Sequence, residues 1–327
     1  MRSPLLPVLS FSLVAILIGL LTSPGFSATG NLLAGRRTLV LGDSITQDGR
    51  YVTFLEYYLH RLAPDSKADL ISIGLGSETV SGLSEPGHPF PRPNALDRLG
   101  QALKSVKPQV VLACYGMNDG IYHPPSPERL AAYDAGLGKL IQQVRAAGAS
   151  LVLITPPVFD PVPIAPRIAP ADARVFGYQA IYAHYDDVLT TFAGSALSHR
   201  QEGIVVIDLH GAMAAELATR RSAEPHFTFS PDGIHPGEQG HLLIARVLAR
   251  GIGLTPPDGD LAKELERIKA DPLFPLVRDR RALRSEAWLA FIGYTRGPVI
   301  KSASVTAAEA VAARLQTEIE ALAAKSN

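Results

Sequence analysis

The sequence predicts an α/β protein in which a central, mostly parallel five-stranded sheet carries helices on both faces. Five short runs rich in Val, Ile and Leu alternate with segments whose apolar residues recur at helical spacing. Continuous apolar runs of this kind are typical of parallel strands that are buried on both faces. The predicted strands span residues 37–42, 68–74, 108–115, 149–155 and 204–208.

The predicted helices alternate with these strands and continue beyond the last one. After Asp258, helical segments follow one another without a strand between them, which indicates a C-terminal helical extension. This extension can pack on the core, cover a site or form a dimer contact. We therefore expect a leader at residues 1–28, a core domain at 29–257 and the extension at 258–327. The predicted helices span residues 51–62, 94–104, 127–147, 172–193, 236–248, 261–268, 282–292 and 307–324.

The composition argues against several classes of protein. The 327 residues include 31 basic and 31 acidic side chains, so the formal net charge is zero. A nucleic-acid-binding protein usually shows a basic excess, and we expect no nucleic-acid partner. Cys114 is the one cysteine of the chain, so an intrachain disulfide is impossible and the fold depends on its core.

The N-terminal segment has the pattern of a secretory signal peptide. Arg2 precedes an apolar stretch at residues 13–21, and small residues follow at 23–28. The alternative is a retained transmembrane anchor, because residues 5–26 carry no charge. The sequence therefore predicts a secreted or periplasmic protein without stable membrane association after cleavage.

The triplet Gly42-Asp43-Ser44 lies between the first predicted strand and the first predicted helix. A tight turn there exposes the Ser44 hydroxyl at the carboxyl edge of the sheet and places its backbone N–H near a helix start. Such a position suits a nucleophile, because the same backbone offers a donor to a developing oxyanion. Taken alone, the triplet also fits an ordinary turn or a helix N-cap.

A base and an orienting acid occur together near the end of the core domain. His235 can accept the Ser44 proton, and Asp232, three residues earlier, can hold the other ring nitrogen. Alternatively, Asp232 forms a turn and His235 is a surface residue. Donors for an oxyanion are available from the Ser44 N–H, the Asn118 side chain and a backbone N–H of the 74–79 loop. The alternative for Asn118 is a simple turn residue.

Four blocks together resemble the SGNH/GDSL hydrolase family of esterases and lipases, over roughly residues 37–250. The resemblance implies a three-layer α/β/α, flavodoxin-like fold and an acyl-enzyme mechanism with a serine nucleophile. It implies Ser44 as nucleophile, Asp232 and His235 as the other members of a catalytic triad, and Asn118 as an oxyanion-hole donor. The blocks occur in family order at residues 42–44, 72–79, 116–119 and 232–236.

The second block departs from the family pattern. The family usually has Asn two residues before the first glycine and a second glycine three residues after it, whereas this chain has Ser72 and Ser77. A backbone donor does not require glycine, so the predicted oxyanion donors are Ser44, Ser77 and Asn118. Gly74 and Gly76 are the alternatives to Ser77.

The mechanism that the resemblance implies requires no metal or organic cofactor. None of the nine histidines forms a pair with metal-ligand spacing such as His-Glu-x-x-His. We therefore expect no cofactor, no metal site and a small-molecule or glycan ester as substrate.

Two loops are expected at the strand ends, at residues 81–93 and 122–127. They mix aromatic and polar groups, which suits sugar faces better than long acyl chains. The sequence thus predicts a secreted carbohydrate esterase that removes small, acetyl-like acyl groups. The alternatives are a lipase or phospholipase at a membrane surface and a non-catalytic carbohydrate-binding relative. The loop residues concerned are His88, Phe90, Arg92, Tyr122 and His123, and Trp288, Tyr294 and Arg296 of the extension can also reach this edge.

Overall fold

The computed structural model describes residues 30–170, 172–201 and 203–324, and five parallel strands form its central sheet. The strand order is β2-β1-β3-β4-β5, with helices on both faces, so the predicted three-layer α/β/α fold is confirmed. The strands are β1 (Arg37–Gly42), β2 (Asp69–Ser72), β3 (Val110–Cys114), β4 (Ser150–Ile154) and β5 (Ile204–Ile207).

The helices connect the strands and extend the chain beyond the sheet. Short 3₁₀ helices lie at Pro64–Ser66 and Val162–Arg167. The α-helices of the described residues are α1 (Ser44–Asp48), α2 (Arg50–Leu62), α3 (Ala95–Val106), α4 (Pro127–Ala146), α5 (Tyr185–Ser198), α6 (Leu209–Ala223), α7 (Glu238–Gly251), α8 (Leu261–Ala270), α9 (Leu273–Ile292) and α10 (Val305–Ala323).

Both faces of the sheet are buried, which explains the continuous apolar runs. Successive side chains of a strand point to opposite faces. In β3, Val111 and Ala113 therefore join the core beneath α3, α4 and α5. Val110 and Leu112 join the core beneath α2, α6 and α7.

The topology brings the carboxyl ends of β1 and β3 together. The two strands are neighbours, and Gly42 pairs with Cys114 at the end of the ladder. The chain passes from β1 to β2 on one side of β1 and then crosses to β3 on the other side. The strand order therefore reverses between β1 and β3, which makes this a topological switch point. Ligands of open α/β sheets bind at such a point. Ser44 lies just after β1 and Asn118 just after β3, so both lie at this point.

The C-terminal helices pack on the core, which was one of the three possibilities for the predicted extension. Helix α9 lies against α2 and the edge strand β2. Arg284 donates from Nη1 to the Leu70 carbonyl over 2.8 Å and pairs with Asp69 at 2.7 Å. Because these contacts satisfy polar groups at an exposed sheet edge, α9 protects β2 from pairing with another chain.

One predicted helix is wrong over half of its length, and two observed helices were not predicted. The segment predicted at 172–193 becomes helical only at Tyr185. Before it, Ala169 donates to the Ile181 carbonyl over 2.8 Å, and Gly177 and Ala180 form a tight turn. These contacts hold the segment as a loop. The helix begins at Tyr185, and Asp186 and Asp187 lie in its first turn, where acidic side chains stabilise a helix. Helices α1 and α6 are the additional elements, and α9 begins at Leu273, before the predicted start at 282.

The leader predicted at residues 1–28 lies outside the described residues, so the export of the protein stays a prediction, as do the domain limits. None of the helices that the structure describes is both long enough and apolar enough to cross a bilayer.

Candidate functional site

Ser44 occupies the turn between β1 and α1. Asp43 caps the helix, since its Oδ1 accepts a hydrogen bond from the Ile45 N–H over 3.0 Å. Gly42 is required by close packing, because a Cβ there would lie 2.8 Å from the Cys114 carbonyl oxygen. This local geometry presents the Ser44 side chain at the carboxyl edge of the sheet.

The structure brings Ser44, His235 and Asp232 into one hydrogen-bonded chain. Ser44 Oγ lies 2.7 Å from His235 Nε2, and His235 Nδ1 lies 2.7 Å from Asp232 Oδ2. The other carboxylate oxygen, Oδ1, accepts hydrogen bonds from the backbone N–H groups of His235 at 2.7 Å and Ile234 at 3.0 Å. These bonds fix the carboxylate and favour the tautomer in which Nδ1 carries the proton. Nε2 is then free to accept the serine proton.

The electrostatics of this chain favour a basic imidazole. The hydrogen bond to Asp232 raises the pKa of His235 above its usual value, against the opposing effect of burial. The negative charges of Asp43 and Asp48 raise this pKa further. Burial alone would raise the pKa of Asp232, but the hydrogen bonds from His235 and the Ile234 N–H lower it to about 2. Asp232 is therefore a carboxylate at neutral pH.

The second block places Ser77 in an unusual backbone conformation. Its φ is 67°, in the left-handed region that favours glycine, which explains why a relative would have glycine at this position. The Gly76 N–H donates to Gln47 Oε1 over 2.6 Å, so this donor is already used. Within the described part of the chain, the Ser77 N–H has no hydrogen-bond acceptor, and Ser77 lines the pocket that contains Ser44. Gly74 does not line that pocket.

Asn118 follows β3 and is held by three hydrogen bonds. Its Oδ1 accepts from Arg92 Nη1 and from the Tyr122 hydroxyl, each at 3.0 Å. Its Nδ2 donates one hydrogen to the Glu78 carbonyl over 3.2 Å. The second Nδ2 hydrogen is left for a group in the pocket, because the two acceptor contacts set the orientation of the amide.

A buried arginine connects Asn118 to Ser77. Arg92 forms a two-bond ion pair with Glu85, at 2.6 and 2.7 Å, and both side chains are buried. Besides its bond to Asn118, Arg92 Nη1 reaches the Ser77 carbonyl at 3.5 Å. A planar guanidinium that is held by a bidentate pair is a rigid donor. It therefore fixes Asn118 and Ser77 relative to each other.

These groups surround one pocket of about 300 Å³. His88, Arg92 and Tyr122 line it, as expected of the two loops, whereas His123 lies outside it against Phe176. Among the described residues of the C-terminal segment, only Arg296 reaches it. Trp288 is buried and donates to Glu309, and Tyr294 lines another cavity. The lining residues are Ser44, Gln47, Gly76, Ser77, His88, Arg92, Asn118, Tyr122, Arg167, Tyr178, Asp232, Ile234, His235 and Arg296.

Sequence reasoning did not find Gln47, Arg167 or Tyr178. Arg167 ends a 3₁₀ helix, and Tyr178 lies in the loop before α5, which was predicted to be helical. Gln47 follows the Gly42-Asp43-Ser44 turn by one helical turn, and this spacing was the available signal. In the described ranges, no group of three or more His, Cys, Asp or Glu side chains is arranged to hold a metal ion.

A family model for GDSL-like lipases and acylhydrolases matches residues 40–243. The chain belongs to this family. Because the match covers more than half of the chain, the resemblance drawn from the four sequence blocks is confirmed. This GDSL hydrolase is accordingly a carboxylic ester hydrolase. No curated protein sequence matches it.

Three solved structures are similar to the GDSL hydrolase to different degrees. A mutant of Axe2, an acetyl-xylooligosaccharide esterase from Geobacillus stearothermophilus, aligns with TM-score 0.50 and 20% identity over 71% of this chain and 100% of its own. A diltiazem-metabolizing gut microbial enzyme, BT4096, gives TM-score 0.46 and 21% identity, with 67% of this chain and 47% of that enzyme covered. A GDSL-like lipase from Parabacteroides merdae gives TM-score 0.45 and 17% identity over 67% and 96% of the two chains. The likeness to Axe2 supports the fold.

Proposed function

We propose that this GDSL hydrolase is a serine esterase that removes acetyl or similarly small acyl groups from carbohydrates. The observation that carries the proposal is the hydrogen-bonded chain Ser44–His235–Asp232, which opens into a pocket with mainly polar and aromatic walls. The distances of 2.7 Å at both links meet the requirement for a nucleophile, a base and an orienting acid.

The proposed reaction proceeds through an acyl-enzyme. His235 Nε2 takes the Ser44 proton while Oγ attacks the ester carbonyl, and Asp232 stabilises the imidazolium that forms. The imidazolium then protonates the leaving alcohol as the C–O bond breaks. In the second half, His235 deprotonates a water molecule, which attacks the acyl carbon, and the proton returns to Ser44 Oγ as the acid leaves.

The proposed oxyanion hole combines three donors: the Ser44 N–H, the Ser77 N–H and Asn118 Nδ2. The free Ser77 N–H and the engaged Gly76 N–H favour Ser77 over the neighbouring glycine. Such donors stabilise the charge that develops in the transition state without reorganising. The contacts of Arg92 with Ser77 and Asn118 supply this rigidity.

The walls of the pocket favour a short acyl group. Its hydrocarbon surface comes from Ile234, Tyr122 and Tyr178, and no Leu, Met or Phe of the described residues lines it. A long acyl chain would need a broad apolar surface, because each buried CH₂ contributes about 0.8 kcal/mol. Tyrosine and arginine beside the nucleophile can instead stack on and hydrogen-bond to a sugar.

Acetate release is the first expected result. We expect the wild-type enzyme to release acetate from acetylated oligosaccharides with kcat/KM at least about tenfold above that for esters of twelve-carbon acids, because the pocket buries little acyl surface. The measurement is a panel of acyl-chain lengths and acetylated sugars, with Ser44→Ala as the blank. Efficient cleavage of the long esters without acetate release would instead support a lipase that acts at a membrane surface.

Replacement of Asn118 by alanine is expected to lower kcat about 10²- to 10³-fold, as loss of one oxyanion donor does. Tyr122→Phe is the graded comparison, since it removes one bond to Asn118 Oδ1 and leaves the Arg92 bond in place. We expect Tyr122→Phe to lower kcat by less than about tenfold. Steady-state kinetics on one acetyl ester measure both. Asn118→Ala kinetics within threefold of wild type would exclude Asn118 as a donor.

A further inference from the structure

A continuous wall of aromatic and basic side chains borders the pocket. The rings of His88 and Tyr178 meet at 5.2 Å between centroids, and those of His88 and Phe90 at 4.5 Å. The Arg296 guanidinium lies over the Phe90 ring at 5.1 Å. At the other end, Arg167 donates from Nη2 to the Tyr178 carbonyl over 2.9 Å. We call these five residues the arginine–aromatic wall; all of them except Phe90 line the pocket.

The two ends of the wall lie beside different parts of the proposed catalytic machinery. Arg296 packs on the Gly76 backbone, since a Cβ at Gly76 would lie 2.6 Å from its Nη1. Ser77 is the next residue. Arg167 donates from Nη1 to the Asp232 carbonyl over 3.3 Å. A molecule that rests on the wall with its ester at Ser44 therefore has a guanidinium within reach on either side.

Arg167 and Arg296 differ from the other arginine of the pocket in their charge balance. Arg92 is neutralised by Glu85 through a bidentate pair. By contrast, no carboxylate oxygen of the described residues lies within 4.0 Å of Arg167 or Arg296. The bonds of Arg167 go to backbone carbonyls, and Arg296 contacts a ring face. Both are half-buried, so each guanidinium is partly desolvated and still faces the pocket.

We propose that the substrate is an acylated anionic saccharide whose carboxylate or sulfate groups bind to Arg296 at one end of the arginine–aromatic wall or to Arg167 at the other, while a sugar ring rests on the wall between them. This inference rests on the proposed esterase function and names its substrate class. A guanidinium matches the planar geometry of a carboxylate and the oxygens of a sulfate through paired N–H donors. His88 adds no third charge at neutral pH, because burial lowers its pKa below the usual value.

The test compares kcat/KM for three acetylated oligosaccharides, one neutral xylooligosaccharide, one of uronic acid residues and one sulfated. For the wild type we expect the better anionic ester to exceed the neutral one by about 10- to 100-fold, the effect of charge-assisted hydrogen bonds. Arg296→Gln should reduce this ratio at least about tenfold, chiefly through KM. Arg296→Lys keeps the charge but not the paired donors, and we expect an intermediate ratio.

Arg174→Gln is the matched control, because Arg174 is exposed in the same loop as Tyr178 and does not line the pocket. It should keep the wild-type ratio. Whichever anionic ester is preferred identifies the group as a carboxylate or a sulfate. If all three esters are cleaved at similar rates and Arg296→Gln leaves the ratio unchanged, the inference fails and the esterase function stands. If none of the three is cleaved, the proposed function itself fails.

Discussion

Replacement of Ser44 by alanine is expected to lower kcat about 10⁶-fold on any ester that the wild type cleaves. The reason is that Oγ forms the covalent bond of the acyl-enzyme, and no other hydroxyl of the described residues lies at hydrogen-bond distance from His235 Nε2. The protein should also lose covalent labelling by a fluorophosphonate probe. The measurements are acetate release and labelling, with the thermal melting temperature as the check that the variant folds.

Ser77→Ala is the matched control for this experiment. Ser77 is the other serine in the lining of the pocket, and its proposed contribution is a backbone N–H that alanine retains. Serine and alanine at position 77 bear the same strain of the left-handed backbone conformation, so labelling should persist. Equal labelling of wild type and Ser44→Ala would show that the probe reacts elsewhere. An unlabelled wild type would favour the non-catalytic carbohydrate-binding alternative.

The strands could be predicted because their signal is local. Each run of five or so apolar residues is buried on both faces, as in β3, and such burial tolerates almost no polar side chain. The segment before α5 shows the limit of this reasoning. Its apolar residues have helical spacing, but Ile181 is buried and forms a parallel β-bridge with Ile168, which lies well before it in the chain. Contacts between distant residues override local propensity there, and no local pattern reports them.

The site divides in the same way. Ser44 and Asn118 follow strands, and the Asp232–His235 pair lies in the loop that leads into α7, so topology brings them to one edge of the sheet. Arg296 comes from the loop between α9 and α10, and the packing of α9 on α2 and β2 directs that loop to the pocket. Ser77 is an intermediate case. The family pattern has glycine at this position, so the sequence marked Ser77 as a departure. Its φ of 67° implies a backbone strain energy of about 1–3 kcal/mol, which the surrounding contacts must offset.

Asp232→Asn is expected to lower kcat about 10⁴-fold and to move the pH profile. The asparagine Oδ1 can still accept the backbone N–H groups of His235 and Ile234, so the loop should keep its shape. Its Nδ2 then donates to His235 Nδ1 and places the ring proton on Nε2. In that tautomer Nε2 cannot accept the Ser44 proton, which accounts for the loss of rate.

The pH dependence separates this role from a purely structural one. His235 acts as a base only when neutral, so kcat/KM rises with pH through its pKa in the free enzyme. In the wild type the Asp232 hydrogen bond raises that pKa, and the acid limb should lie above pH 6.5, the ordinary histidine value. Without the carboxylate the pKa falls, and the acid limb of Asp232→Asn should move to lower pH. If Asp232→Asn has reduced activity but the same acid limb as the wild type, Asp232 only shapes the loop. A carboxylate that stabilises the His235 imidazolium must change the pKa of His235 when it is removed.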